Sequence, residues 1–137
     1  MHAMESLIHL LSGIQNTNVG VEGRQNGFLY QSHFCEENIY CLVRDLLSHH
    51  HELSVWGIEL FPIFISSQSK ATPIWHQKAG NPVCWDYHVI LYVTETNMRG
   101  QGVILDFDTT QPFCTPVLEY IMKSFRPDMG IKPEYQQ

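Results

Sequence analysis

Three side chains of this sequence could together perform nucleophilic chemistry: Cys35, His88 and Asp106. A histidine beside a carboxylate has a fixed tautomer and a stabilised positive charge, so its other nitrogen can act as a base towards a thiol. A thiol at the start of a helix lies at the positive end of the helix dipole, which favours the thiolate. We therefore expect a cysteine nucleophile if the fold brings the three residues together.

The helix that should carry the thiol begins at Cys35. Glu36 and Glu37 lie in its first turn, where the dipole favours negative charge, and Ser32 is a candidate N-cap. The apolar residues that follow recur at helical spacing: Ile39, Leu42, Val43, Leu46 and Leu47. The pattern predicts a helix that ends near His49.

Apolar and β-branched runs predict strands over residues 60–65, 73–76, 83–93 and 103–108, and a short helix over 117–125. The first two strands flank a polar stretch and predict a hairpin. A polar loop joins the last two, and a hairpin centred on Asn97 would place His88 opposite Asp106. Directly opposed residues have Cβ atoms about 4.5–5.5 Å apart, so this register predicts a hydrogen-bonded His–Asp pair.

Composition restricts the class of protein. The 137 residues fit one domain, and 8 basic against 14 acidic residues give a net charge of −6. Without a basic cluster, we expect no nucleic-acid or anionic-membrane partner. No apolar run reaches the roughly 20 residues that span a bilayer. We expect a monomer, because no heptad pattern or long apolar edge is visible.

The two ends of the chain differ in pattern. Glycines and asparagines interrupt residues 1–31, which we predict to be a flexible arm with one helical turn near Leu7, followed by a single catalytic domain over 32–137. The four cysteines form no CxxC pair, so we interpret them as reduced thiols of a cytoplasmic or nuclear protein: Cys35, Cys41, Cys84 and Cys114.

Four motifs occur in a fixed order: CEENI at 35–39, PIW at 73–75, WDYHV at 85–89, and DFDT at 106–109, the last followed by Pro112 and Phe113. In this combination the chain closely resembles the protein N-terminal glutamine amidohydrolases. The resemblance implies a papain- and transglutaminase-like α/β (α+β) fold, in which a helix bearing the cysteine packs on an antiparallel sheet bearing the histidine and aspartate. By motif position, Cys35, His88 and Asp106 would form the triad.

The activity that the resemblance implies is deamidation of an N-terminal glutamine in a protein or peptide, with release of ammonia. The resulting glutamate feeds the arginine branch of N-degron degradation, and neither a metal nor an organic cofactor is required. Members of the family continue beyond the point that corresponds to the end of this chain, through an SDRSHM-like stretch. We therefore expect a C-terminally shortened member.

Other functions stay open at this point. A cysteine protease or a transglutaminase would use the same three residues, and a shortened chain could bind N-terminal residues without turnover. A metal site at His49, His50 and His51 ranks last, because a solvated helix end explains that run.

Several further residues have two interpretations. Asp86 and Asp108 are candidates to bind the α-ammonium group of a substrate, although for Asp86 we favour a structural role, as a turn cap or a backbone contact. Trp75 and Trp85 either fill the core, which we favour, or line a groove. The remaining cysteines are expected to be packed thiols or, for Cys84, to lie too far from His88 to share a metal with it.

Overall fold

The computed structural model describes residues 2–17, 22–25, 27–97 and 101–137, which contain both helices and strands. The helices are α1 (His2–Thr17), α2 (Cys35–Leu47), α3 (His50–Trp56) and α4 (Val117–Ser124). The strands are β1 (Arg24–Gln25), β2 (Phe28–Leu29), β3 (Ile58–Ile65), β4 (Thr72–Ile74), β5 (Val83–Trp85), β6 (His88–Glu95), β7 (Val103–Leu105) and β8 (Cys114–Pro116). The chain is thus of mixed α/β class.

A four-stranded antiparallel sheet in the order β3-β6-β7-β8 forms the centre of the fold. Alternate residues point to its two faces. One face contributes Leu91, Val93 and Leu105 to a core shared with helices α1, α2 and α3. The other face contributes Ile90 and Ile104 to a second cluster, which Tyr120 of α4 completes.

Helix α2 confirms the predicted start at Cys35 and ends two residues earlier than expected. Its buried side chains include Ile39, Leu42 and Leu46, and these pack on the sheet. The predicted cap is wrong, because Phe34 occupies the N-cap position and no side chain caps the helix there. In the histidine run, His49 lies between α2 and α3, and the exposed His50 and His51 begin α3.

The predicted pairing of the first two strands is wrong. Strand β3 pairs with β6 over all eight of its residues, from Ile58 opposite Glu95 to Ile65 opposite His88. Strand β4 pairs instead with β5. The long strand forms many more ladder hydrogen bonds with β6 than the three residues of β4 could offer, so tertiary pairing prevails over the short connection. The single strand predicted over 83–93 is divided at Asp86 and Tyr87.

The predicted register of the last hairpin is also wrong, by two residues. Strand β6 places Leu91 opposite Leu105, and β7 ends there, before Asp106. A shift of two residues keeps every side chain on its original face, whereas a shift of one would reverse it. His88 and Asp106 therefore still approach each other, diagonally rather than directly.

The prediction of a flexible N-terminal arm is wrong for the residues that pack into the core. Helix α1 buries Leu7 and Leu11, and Phe28 of β2 is fully buried in the same core as α2 and the sheet. The expected turn near Leu7 is part of a 16-residue helix. Residues 1, 18–21 and 26 of the predicted arm lie outside the described residues. Among the described helices, none combines the length and the apolar character that crossing a membrane would need.

Candidate active site

A buried histidine–aspartate pair lies at one end of the central sheet. His88 is the first residue of β6 and Asp106 follows the last residue of β7; the His88 Nε2 atom is 3.0 Å from Oδ1 of Asp106. Both side chains are almost completely excluded from solvent. Burial by itself would lower the pKa of His88, but the charge and hydrogen bond of Asp106 raise it to about 10. The pair therefore holds a proton firmly at neutral pH.

Cys35 lies beside this pair, at the first position of α2, and is 8% exposed. The second ring nitrogen of His88, Nδ1, is buried and has no hydrogen-bond partner of normal geometry among the described residues. Cys35 is nevertheless close enough for its side chain to contribute to the raised pKa of His88. The structure thus brings His88 and Asp106 into contact and places Cys35 near the imidazole, whose Nδ1 atom has no hydrogen-bond partner among the described residues.

The Asp106 carboxylate accepts four hydrogen bonds. Oδ1 accepts from His88 and from the backbone N–H of Asp108 at 2.9 Å. Oδ2 accepts from the Tyr120 hydroxyl at 2.7 Å and from Nε2 of Gln77 at 3.2 Å. Burial alone would raise the pKa of Asp106, but attraction to His88 and the hydrogen bonds from His88, Tyr120 and the Asp108 N–H lower it. The carboxylate is therefore held ionised, with both oxygens fully used.

Sequence reasoning missed Gln77 and Tyr120. Neither lies in the motifs that contain the predicted catalytic residues, and both reach Asp106 only through tertiary contacts across 29 and 14 residues of chain. The one available signal was the apolar helix pattern of α4, which indicates burial of its residues but not a polar contact for a hydroxyl group.

Trp85 has both of the roles considered for it. Its ring is half-buried and stacks on the His88 imidazole, with centroids 4.8 Å apart and an interplanar angle of 17°. Its indole Nε1–H donates to Oε1 of Gln77 at 3.2 Å. Trp85 also lines the groove that leads to Cys35.

This groove has a volume of about 890 Å³ and an acidic wall. Glu36, Glu37 and Asp86 all line it, and the Tyr87 hydroxyl holds Glu36 through a hydrogen bond of 2.9 Å. A groove of this charge beside a thiol suits a cationic group on the ligand better than an anionic one.

The two candidate partners for an ammonium group, Asp86 and Asp108, differ in their exposure to solvent. Asp86 is exposed in the groove, whereas Asp108 is buried and accepts a hydrogen bond of 2.9 Å from the Tyr30 hydroxyl. Burial, and then the charge of Asp106, raise the pKa of Asp108. The buried position of Asp108 makes it a support for the His88–Asp106 pair rather than a group that meets ligand.

The remaining thiols lie in different environments. Cys41 is partly buried on α2, Cys84 is exposed in the groove, and Cys114 lies on β8 rather than in the predicted turn. Burial raises the pKa of Cys114 to about 11, so that thiol keeps its proton.

One group of possible metal-ligand atoms is present among the described residues. His88, Asp106 and Asp108 offer atoms within 4.8 Å of one another. Nε2 of His88 and both Asp106 oxygens are already used in the hydrogen bonds above, so the cluster is explained as a hydrogen-bonded network.

Comparison with known proteins agrees with these motifs. The family model described as N-terminal glutamine amidase matches residues 30–137. Proteins named protein N-terminal glutamine amidohydrolase are similar to the chain: that of Arabidopsis thaliana is 30% identical over 93% of this chain and 58% of its own length. Those of Bos taurus and Danio rerio are 37% and 38% identical, each over 80% of this chain and 52% and 54% of their own length.

The chain therefore spans about half the length of the curated relatives it matches. The matched region nevertheless contains the thiol, the histidine and the aspartate described above, together with the whole of the central sheet. On the match to the family model over most of its residues, the chain belongs to the N-terminal glutamine amidase family.

Proposed function

We propose that the chain is a thiol amidohydrolase that converts an N-terminal glutamine of a protein or peptide into glutamate and releases ammonia. The observation that carries the proposal is the buried His88–Asp106 pair, whose Nδ1 atom lies beside Cys35 and has no hydrogen-bond partner in the described part of the chain. Family membership supplies the substrate class. The proposed fold is the papain- and transglutaminase-like one, supported by the packing of helix α2 on an antiparallel sheet that carries the histidine.

The first half of the reaction forms a thioester. His88 enters the reaction as the imidazolium that its raised pKa favours, with the proton of the Cys35 thiol on Nδ1, and the sulfur attacks the side-chain amide carbon of glutamine. Backbone N–H groups at the start of α2 have no partner within the helix and can stabilise the oxyanion. His88 then returns its proton to the amide nitrogen, which leaves as ammonia.

The second half hydrolyses the thioester. His88 takes a proton from a water molecule, and the oxygen attacks the thioester carbon. The carbon–sulfur bond breaks, Cys35 recovers a proton from His88, and glutamate is released. Asp106 stays ionised throughout and stabilises the imidazolium in both halves. We place this activity in the cytoplasm or nucleus, where a thiol nucleophile stays reduced and where the new glutamate would enter the N-degron pathway.

The direct test is ammonia release from a glutamine-initiated peptide, with an asparagine-initiated and an acetylated glutamine peptide as controls. We expect release from the free glutamine peptide alone. Cleavage of the peptide bond would identify a protease, and cross-linking to an added amine would identify a transglutaminase. Binding of the free peptide by folded protein without turnover would contradict the proposed reaction and identify an N-terminal-residue binder.

Asp86→Asn is expected to raise KM for the glutamine peptide about tenfold with little change in kcat. The carboxylate lies in the groove beside Cys35, where it can pair with the α-ammonium group of the substrate. Steady-state kinetics of ammonia release measure the split. The control is Asp128→Asn, an exposed carboxylate of another surface, which pairs with Arg126. An unchanged KM in Asp86→Asn would rule out this role.

A further inference from the structure

We propose that Gln77 is a positioning residue that confines the mobile proton of the active site to Nδ1 of His88, as the middle member of a hydrogen-bonded chain from Trp85 to Asp106. The inference rests on the proposed function, since it concerns how the same three residues hold their protons. Gln77 is 2% exposed and does not contact the groove, so it acts through Asp106 rather than on substrate.

The orientation of the Gln77 amide follows from its neighbour. An indole N–H can only donate, so the amide oxygen must face Trp85, at the observed 3.2 Å. The amide NH₂ must then face Oδ2 of Asp106, also at 3.2 Å. Trp85 thereby determines that Gln77 is a donor towards Asp106.

The other partners of Asp106 are donors as well. The backbone N–H of Asp108 can only donate. Burial together with the charge of Asp106 keeps the pKa of Tyr120 well above its ordinary value, so the Tyr120 hydroxyl keeps its proton and donates it. Three donors fill three of the four acceptor positions of the carboxylate, and the lowered pKa of Asp106 keeps it ionised, so the position that faces His88 is an acceptor as well. The fourth contact must therefore be donation from Nε2–H of His88.

The consequence is an assignment of protons in the active site. Nε2 of His88 keeps its hydrogen in both protonation states of the ring, and the proton that moves during the reaction is the one on Nδ1. Nδ1 is the nitrogen without a hydrogen-bond partner among the described residues, beside Cys35.

The backbone around Gln77 is clamped to the segment that contains Asp106. His76 has a positive φ of 55° and its carbonyl accepts from the Thr110 N–H at 2.6 Å, while the Lys78 N–H donates to the Asp108 carbonyl at 2.7 Å. Trp85, which orients the amide, also stacks on the His88 ring. Trp85 and Gln77 thus set both the position of the His88 ring and the position of its mobile proton.

Gln77→Glu tests the proposal through the pH dependence of kcat. At low pH the new carboxyl is protonated and can donate to Asp106 as the amide does, so kcat should be close to that of wild type. As the pH rises, the carboxyl loses its proton and becomes a second acceptor and a second negative charge. We expect a new basic limb, with kcat falling about tenfold while KM changes little.

The charges and titratable groups around this position come from every surrounding element: Cys35 of α2, His88 of β6, Asp106 and Asp108 after β7, Tyr120 of α4, Tyr30 after β2, and Lys78. The two aspartates disfavour ionisation of the new carboxyl and the His88 imidazolium favours it. The matched control is Gln111→Glu. This change introduces the same carboxyl at a partly buried position whose side-chain amide contacts Ser124 and not Asp106. Its pH profile should have the shape of the wild-type profile.

Gln77→Met removes the donor without adding a titratable group. We expect kcat about tenfold lower across the whole pH range and no new limb. Thermal unfolding of each variant establishes that the folded protein is being compared.

Proton NMR supplies a readout that does not depend on turnover. The Nε2 proton of His88, identified by its loss in His88→Ala, should give a slowly exchanging low-field signal in wild type. In Gln77→Met it should exchange with water at least about tenfold faster, since one of the contacts that orient Asp106 is lost.

Failure of the proposed function and failure of this inference are therefore distinguishable. A wild-type protein that shows the signal but releases no ammonia would overturn the reaction and leave the proton assignment supported. The proposal is overturned if the signal is absent from wild type, or if both Gln77 variants match wild type in exchange rate and pH profile.

Discussion

Cys35→Ala is expected to abolish ammonia release, with kcat lower by a factor of at least about 10⁴, because Cys35 is the thiol that contributes to the raised pKa of His88. Folding should be preserved, since the side chain is small and lies at the start of helix α2. The measurement is the rate of ammonia release from a glutamine-initiated peptide, together with formation of a thioester adduct seen by mass spectrometry in wild type only.

The matched control is Cys41→Ala, which removes a partly buried thiol six residues further along the same helix. We expect its activity to be close to that of wild type. If Cys41→Ala loses activity while remaining folded, and Cys35→Ala retains it, the nucleophile has been assigned to the wrong thiol.

Asp106→Asn is expected to lower kcat by about 10³–10⁴-fold and the free energy of unfolding by about 3–5 kcal/mol. The carboxylate accepts hydrogen bonds on both oxygens, so an amide must turn its NH₂ group towards the donors on one side. It also leaves His88 buried without its counter-charge. Kinetics at a temperature well below the unfolding transition, with chemical denaturation of both proteins, measure the two effects separately.

The pH dependence of the difference in unfolding free energy between wild type and Asp106→Asn tests whether loss of the His88–Asp106 ion pair causes it. The pKa of Asp106 is lowered from 3.8 by folding, so its contribution is present above about pH 4 and is lost as the pH falls. The pKa of His88 is raised from 6.5 to about 10, so its contribution is complete below pH 6.5 and is lost as the pH rises towards 10. Wild type and Asp106→Asn should therefore differ most between about pH 4 and 6.5. A difference that is constant with pH would indicate lost packing rather than a lost ion pair.

The start of helix α2 was predictable because its cause is local. Apolar residues at helical spacing and acidic residues in the first turn act within a few positions of chain, so Cys35 could be placed at the helix start without a structure. The cap was mispredicted as Ser32 because the approach to the helix bends at His33, which has a positive φ of 69°.

The meeting of His88 and Asp106 was predicted from a register that proved wrong by two residues. The prediction survived because strand side chains alternate with a period of two, so an error of two residues leaves both groups on the same face. Which strand pairs with β3 had no comparable local signal. Backbone hydrogen bonding across a sheet is sequence-independent, so partner choice depends on length and on packing of the whole sheet.

By itself, the sequence determined the class of fold, the family resemblance and the three candidate residues Cys35, His88 and Asp106, since each depends on residue types and short-range periodicity. The tertiary structure decided what surrounds them: Leu7 in the core, and Gln77 and Tyr120 on the Asp106 carboxylate. A hydrogen bond between distant parts of a chain depends on distances of a few tenths of an ångström. Those distances are set by the packing of α4 and the loop after β4 against the sheet, which no local pattern encodes.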